Sequence, residues 1–408
     1  MAGATRTTAD AILQEDYQPA VREQLNNDIP LLTYMEKKGL DTDGRRAVLS
    51  LHTGRNQGVG ARAEGGTLPT AGNQAFAEQR VPVYSNYGRG KITGQLMRSA
   101  DKGSASFTNA LTAELDGIVT DLKRDVNRQV WGTSDGAIAA VTLTTNSVVI
   151  NLASTVSNVQ FDQIQAGMPV DIGTVAAPTG TTSNNAVVST GGSAGAYTVT
   201  LTTAATTTGA TYIFRTGNGG SGTDQKEVTG MQSIVLDSGT LHNVSPTTYP
   251  VWKATVNSNS GTNRAITESL MISTVHSINR ASGTWPNMGV AEYGVQRAFG
   301  AHLTSMKRAV NTVDLTGGYS KGISFVAGGG SEIAITIDRD CPANSMFFFN
   351  TKNMFQYERS DWEFADEDGA VLSRVSGEDA YDFFLYKDHE IATDRRNAHG
   401  WLKDLTAA

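Results

Sequence analysis

Seven apolar residues, Phe107, Leu111, Leu115, Ile118, Leu122, Val126 and Val130, recur at steps of 4, 4, 3, 4, 4 and 4. That is the stripe of one amphipathic helix and the clearest periodic signal in the chain. Ser104 or Ser106 can cap its start, and Gly132 stands where a left-handed cap would end it. Residues 104–131 would span about 42 Å at 1.5 Å per residue, long enough to act as a spine. The opposite face carries Glu114, Asp121, Lys123, Arg124 and Arg128.

Upstream the pattern is weaker. Residues 1–46 are polar, mixed in charge and broken by Pro19, Pro30, Gly39 and Gly44, with too few apolar positions for a core. They read as an extended arm, either disordered or ordered by lying on something else. Residues 47–51 (AVLSL) and about 80–93 are strand-like, and a long Gly- and Ala-rich stretch separates them. This predicts a projecting hairpin over 47–98, because the connection is too long for a tight turn. Its tip, 58–73, has little to bury and is expected to be mobile in an isolated subunit.

Beyond Gly132 the pattern shortens to that of strands. Residues 133–223 hold four charges, Asp135, Asp162, Asp171 and Arg215, against 20 threonines. Pieces such as VVINL, AYTVTLTT and ATYIFRT alternate with Gly, Asn and Ser, the spacing of a small sandwich or barrel. The run GNGGSG at 217–222 reads as an exit linker, so 134–226 is expected to be a separate all-β domain inserted after the helix. Helical spacing returns at 265–278 and 291–310, and strands follow from 324 onward. The closing RRNAHGWLKDL is expected to dock on a strand or helix. The fold class is α+β.

Composition narrows the functional classes. With 408 residues the chain has room for two or three domains, and 43 glycines with 39% apolar residues suit a loop-rich, β-leaning protein. A charge of −7 (33 Lys+Arg against 40 Asp+Glu) argues against a dedicated nucleic-acid binder. Cys341 stands alone, which excludes an intrachain disulfide framework and a multi-cysteine metal site. No apolar run approaches the ~18 residues of a membrane span, and no secretion signal core opens the chain.

Local motifs point to no chemistry. Gly217-x-Gly219-x-x-Gly222 matches a dinucleotide fingerprint, but no helical stripe follows to present a helix N-terminus. Ser134 and Ser193 sit in Gly-x-Ser-x-Gly matches without the strand-to-helix turn that a nucleophile needs. Six histidines are scattered without paired spacing, and Asp366-Glu-Asp-Gly369 lacks the terminal Glu of a calcium loop. No catalytic residue, cofactor or metal is assigned. Charge placement says more. Arg45, Arg46, Arg55 and Arg62 lie on the arm and hairpin, whereas nine acids, among them Asp361, Glu363, Asp366, Glu367 and Asp368, crowd 358–382. These are either solvated faces or complementary surfaces of neighbouring copies.

The stretches TADAILQEDYQPAVREQLNN, RRAVLSLHTGRNQGVGARAEGGTLPTAGNQ and GIVTDLKRDVNRQVWGTSDG, in this order, resemble the major capsid proteins of tailed bacteriophages. The resemblance implies a Hong Kong 97-type fold. In it 1–46 is the N-terminal arm, 47–98 the extended loop, and 99–133 the peripheral domain with its spine helix. The inserted domain, 134–226, is followed by the peripheral return at 227–264, the axial domain at 265–350, and the last strands of both at 351–408. It implies a structural, non-enzymatic role: hexamers and pentamers of the chain tile an icosahedral shell around double-stranded DNA. A separate scaffolding protein, a portal and a decoration protein are the implied partners, and the virion, assembled in the host bacterial cytoplasm, the implied location. Some family members crosslink a loop Lys to a neighbour's Asn. Lys91, Asn350 and Asn353 carry no residue-level match for that chemistry. The competing reading, from the Thr-rich segment, is a tail component or adhesin.

Overall fold

A computed structural model of the chain describes residues 30–39, 46–95, 110–207, 211–306, 323–326, 332–366 and 372–408. Most of the arm, the first turns of the long helix, and Arg45, Glu367 and Asp368 lie outside the described residues. The chain forms two compact units, one drawing on Tyr87–Leu122 and Trp362–Tyr386, the other on Asp28–Asn86, Lys123–Asp361 and Lys387–Ala408.

The long helix runs over Ala110–Val130. Of its stripe, Leu122, Val126 and Val130 are buried, at 7% exposure or less, and Ile118 is half-buried. Gly132 follows the last turn, its N–H donating to Gln129 O at 2.9 Å, but it does not take the expected left-handed conformation. That conformation falls to Ser134, at φ 71°. The need for glycine lies across the chain at Gly230, where a Cβ would press on the carbonyl oxygens of Gln129 and Gly132.

In the second unit the hairpin pairs Arg46–Gly54 with Ala75–Pro82, antiparallel, with a register shift between His52 and Gly54. Its return strand therefore precedes the one read from the sequence. The strand Tyr84–Thr93 belongs to another sheet and pairs with Ala380–Thr393. One face of the hairpin, with Ala47, Leu49 and Val81, packs on Phe355, Tyr357 and Ala392. The other presents Val48 and Phe76 to solvent.

The predicted β-segment forms six strands: Ala137–Val141, Thr144–Asn151, Pro169–Thr174, Ala177–Gly191, Thr198–Thr207 and Thr211–Arg215. They pair antiparallel in the order first, sixth, third, fourth, fifth, second. A bridge between Val141 and Leu152, with Thr142 N donating to Asn151 O and Ala153 N to Ala140 O (both 2.9 Å), joins the second strand back to the first. The result is a small closed barrel, which leaves no long free edge. Its core, including Ile138, Ile150, Val170, Ile172, Val199, Leu201 and Ile213, comes wholly from residues 138–213. Thr145, Asn146, Ser183, Ser189, Thr202 and Thr206 lie outward, beside the exposed Val148 and Val188, because each strand has only one face to bury.

A second six-stranded sheet has the order Thr255–Asn257, Gly400–Leu402, Met346–Phe349, Met288–Ala291, Glu332–Ile337 and Ile323–Val326. The C-terminal segment docks as its second strand, between Thr255–Asn257 and Met346–Phe349. The helices Glu268–Ser282 and Tyr293–Met306 contribute Met271, Val275, Ile278, Val295 and Phe299 to its core. Met346–Phe349 is buried along its whole length, so its aromatics serve both faces. Phe348 joins the helix core, while Phe347 packs on Trp131 at 5.2 Å and stacks on Trp401 at 4.8 Å.

In the first unit Ser373–Arg374 pairs with the strand carrying Tyr381 and Asp382. Arg89 pairs with Asp382 and Lys91 with Glu378. Gly90 lies under the buried Phe383 ring, where a Cβ would sit 2.7 Å from Cε1.

Candidate functional site

The sequence motifs take structural roles. Gly217 N–H donates to Asp171 Oδ2 at 2.9 Å, and only a three-residue 3₁₀ turn, Gly222–Asp224, follows, so no helix N-terminus faces a phosphate. Ser134 Oγ accepts from Gly230 N at 3.0 Å and so ties the segment after the helix to the chain beyond the barrel. Ser193 lies in a turn closed by Ala196 N donating to its carbonyl at 2.8 Å. Among the described residues no group of three or more His, Cys, Asp or Glu is placed to hold a metal ion. Burial pushes the Cys341 thiol well up. A cleft of about 770 Å³ is lined by Arg128, Asp135, Tyr212, Lys403 and Asp404 among others. Several of these groups are already engaged: Asp404 Oδ2 accepts from Asn259 N at 2.6 Å, and Asp135 Oδ1 from Thr133 Oγ1 at 2.6 Å.

The most charged interior feature sits where the long helix meets the barrel's exit. Arg128 pairs with Glu227 and donates through Nε to Asp125 Oδ1 at 3.0 Å. Arg215, on the barrel's last strand, reaches the same Asp125 oxygen at 2.9 Å. Gln129 donates to Asp125 Oδ2 at 2.9 Å, and Asn218 to Glu227 Oε1 at 2.8 Å. Burial alone would raise the Asp125 carboxyl, but the guanidinium groups of Arg128 and Arg215 outweigh it and hold the carboxyl well below the usual range. The network ties the barrel to the helix by charge-assisted hydrogen bonds.

The surface charges separate into two groups. Arg46, Arg55 and Arg62 are exposed on the hairpin, and Arg62 folds back on its own loop, donating to Thr67 O at 2.9 Å and Ala61 O at 2.8 Å. Several of the acids are engaged within the chain. Lys387, its side chain buried, reaches Glu358 at 2.6 Å and Asp361 at 2.9 Å, and Lys37 reaches both at 3.2 Å. Glu363 accepts from Tyr386 Oη at 3.4 Å, while Asp366 is exposed. Sequence reading missed Lys37 and Lys387 as partners of these acids. The strand Glu36–Gly39 pairs parallel with Met354–Phe364, a register that brings Lys37 opposite Gln356 and that no local pattern encodes.

No family model and no curated protein sequence matches the chain. Solved structures do. The capsid asymmetric unit of cyanophage A-1(L) aligns with a TM-score of 0.63 at 14% identity, covering 99% of this chain and 100% of that one. The chain has the fold of a capsid subunit. The capsid of the native GTA particle gives a TM-score of 0.55 at 11% identity, again over 99% and 100%. These matches run the length of both chains. The tail-component or adhesin reading gains no support from them.

Proposed function

We propose that this chain is the major capsid protein of a tailed double-stranded DNA bacteriophage, a structural protein of Hong Kong 97-type fold whose copies, as hexamers and pentamers, close an icosahedral head. The observation that carries this reading is the end-to-end match to the cyanophage capsid subunit. The negative charge suits a container, since a strongly basic lining would hold the genome through phosphate contacts and resist its movement. The barrel at 137–215 is the inserted accessory domain of this reading, with an outward surface suited to solvent or to a decoration protein. A separate scaffolding protein and a portal complete the assembly in the bacterial cytoplasm. Electron microscopy of the purified chain, alone and with the candidate scaffold from the same genome, tests this. Closed shells are expected, and a chain that stays monomeric under both conditions would overturn it.

Between copies, the hairpin arginines Arg46, Arg55 and Arg62 are proposed to meet the acidic surface around Glu363 and Asp366. Arg45, Glu367 and Asp368 belong to the same proposal. Exposed pairs contribute only about 0–1 kcal/mol each, so a single substitution is expected to change little. Reversing all three hairpin charges should impair assembly, and reversing Glu363 and Asp366 as well should restore part of it. Equal defects in the one-sided and two-sided variants, measured as shell yield, would exclude the pairing.

A further inference from the structure

The base of the hairpin is fastened by a buried hydrogen-bond network that is short of donors. Gln79 lies on the return strand's inward face, fully buried between Ala77 and Val81. Its amide nitrogen donates to Thr393 O at 3.0 Å and stands 3.2 Å from His242 Nδ1. On the other side of the ring, His242 Nε2 is 3.3 Å from Thr229 Oγ1 and 3.5 Å from Glu390 Oε1. An amide nitrogen can only donate, so Nδ1 is the acceptor and the neutral ring carries its proton on Nε2. Glu390 Oε1 also accepts from Thr229 N at 2.9 Å. Two buried oxygens, Gln79 Oε1 and Glu390 Oε2, receive no hydrogen bond from any described residue.

The backbone holds His242 in place at a cost. His242 and Asn243 have φ values of 47° and 72°, forming a tight turn closed by paired hydrogen bonds between Leu241 and Val244. His242 O in turn accepts from Arg80 N at 2.9 Å, so the turn grips the hairpin by backbone and side chain together. The charged group facing the ring is Glu390, from the strand Ala380–Thr393. Tyr84, from the next strand after the hairpin, senses the same carboxylate: burial and the charge of Glu390 push its phenol up to about 12. Arg80 and Glu78 pair with each other on the hairpin's outward face, at 2.7 Å.

We propose that His242 is a proton-operated latch on the hairpin. A proton taken up at Nδ1 sets two donors face to face, His242 Nδ1–H against the Gln79 amide nitrogen. Turning the Gln79 amide over removes the conflict and gives its unsatisfied oxygen a donor, and the imidazolium then faces the buried Glu390 carboxylate. The same turn takes the amide nitrogen away from Thr393 O and so releases one of the ties that hold the return strand to the body. The neutral ring is the fastened state and the protonated ring the released one. The geometry is internal to one chain, so the latch does not depend on the shell reading.

Hydrogen exchange of the purified full chain tests it, followed at the backbone amides of 75–82 from pH 7.5 to pH 5 and corrected for intrinsic exchange. Loss of one buried tie should speed opening by about five- to tenfold in the wild type on acidification. His242→Asn keeps an acceptor near Nδ1 and tolerates positive φ but cannot take the proton, so its hairpin exchange should stay flat with pH. Should that variant fail to fold, Gln79→Met, which has no amide to turn, must likewise lose the pH response. Nitrogen shifts of the ring give a direct check of the tautomer, with the proton on Nε2 at pH 7.5. A flat wild-type profile, an unchanged response in whichever variant folds, or a ring protonated on Nδ1 at pH 7.5 would each overturn the latch.

Discussion

A chain in which residues 55–74 are replaced by Asn-Gly is expected to fold as before and to form no stable closed shells. Gly54 and Ala75 lie directly opposite in the hairpin register, so a two-residue turn can join them without moving either strand. The excised tip supplies no buried side chain to its own chain. It is shaped by local contacts: Asn56 Nδ2 donates to Gly72 O at 2.9 Å, Asn56 Oδ1 accepts from Gly58 N at 2.6 Å, and Gly66 N donates to Ala63 O at 2.9 Å. Meanwhile Val59 and Leu68 stand 78% and 81% exposed. Covering two such side chains on a neighbour is worth about 1.5–3 kcal/mol each, or roughly 3–6 kcal/mol per subunit. Repeated around a closed shell, that loss is decisive for assembly. Denaturant unfolding of the variant should match the wild type within about 0.5 kcal/mol, as for changes remote from any core. Shells of unchanged yield and thermal stability would show that the tip is not a strap.

The features that the sequence displays are those whose physics is local. The helix stripe survives because each apolar residue repeats the same face, and Leu122, Val126 and Val130 are buried accordingly. The barrel is visible as composition, since short strands with one wet face need Thr and Ser outside and Val, Ile and Leu inside. The hairpin's return strand is misplaced by the same logic. Gln79 occupies an inward position and Phe76 an outward one, which breaks the alternation over Ala75–Pro82. Tyr84–Thr93 looks like its continuation, yet its partner lies some 300 residues away, and no local pattern carries that pairing.

The buried charges are the least legible part. Lys387, His389 and Glu390 lie within four consecutive positions, yet all are at most 2% exposed. Arg396 is 1% exposed and donates to four carbonyl oxygens, those of Ser233, Ile234, Ser238 and Gly239, at 2.8–3.0 Å. An arginine near the end of a chain gives no hint that it organises a loop more than 150 residues earlier. Such groups are recognised only once the tertiary fold supplies their partners. The network of Asp125, Arg128 and Glu227 is of the same kind: Arg128 reads as part of the polar face of a helix, and only the returning chain at Glu227 makes its surroundings an interior.

Acid should weaken the fold well before its carboxylates titrate. His389 and His399 are fully buried, and burial, reinforced at His389 by the charge of Lys387, lowers each to about 3 from an ordinary 6.5. Both rings are therefore neutral in the native chain at pH 7 and remain so down to about pH 3. The unfolded chain takes up the two protons as pH falls below 6.5, so stability is full above that value and declines as pH drops toward 3. At 1.36 kcal/mol per pH unit per group, 1.5 units below 6.5 costs about 2 kcal/mol for each ring, or about 4 kcal/mol for both at pH 5. Two carboxyls act lower on the scale. Asp125, held down by its guanidinium neighbours, gives stability above the ordinary carboxylate value that is lost only in stronger acid. Asp338, raised mainly by burial, works in the opposite sense and relieves a cost as pH falls through its raised value. Urea unfolding of the His242→Asn chain at pH 7.5 and pH 5, which keeps the hairpin latch out of the comparison, should show the 4 kcal/mol loss and an uptake of about two protons per chain. Adding His399→Gln should remove about half of it, because only one buried ring would then remain to be charged on unfolding. A stability that stays level between these pH values, or a loss untouched by the second substitution, would mean that these rings do not set the acid limit of the fold.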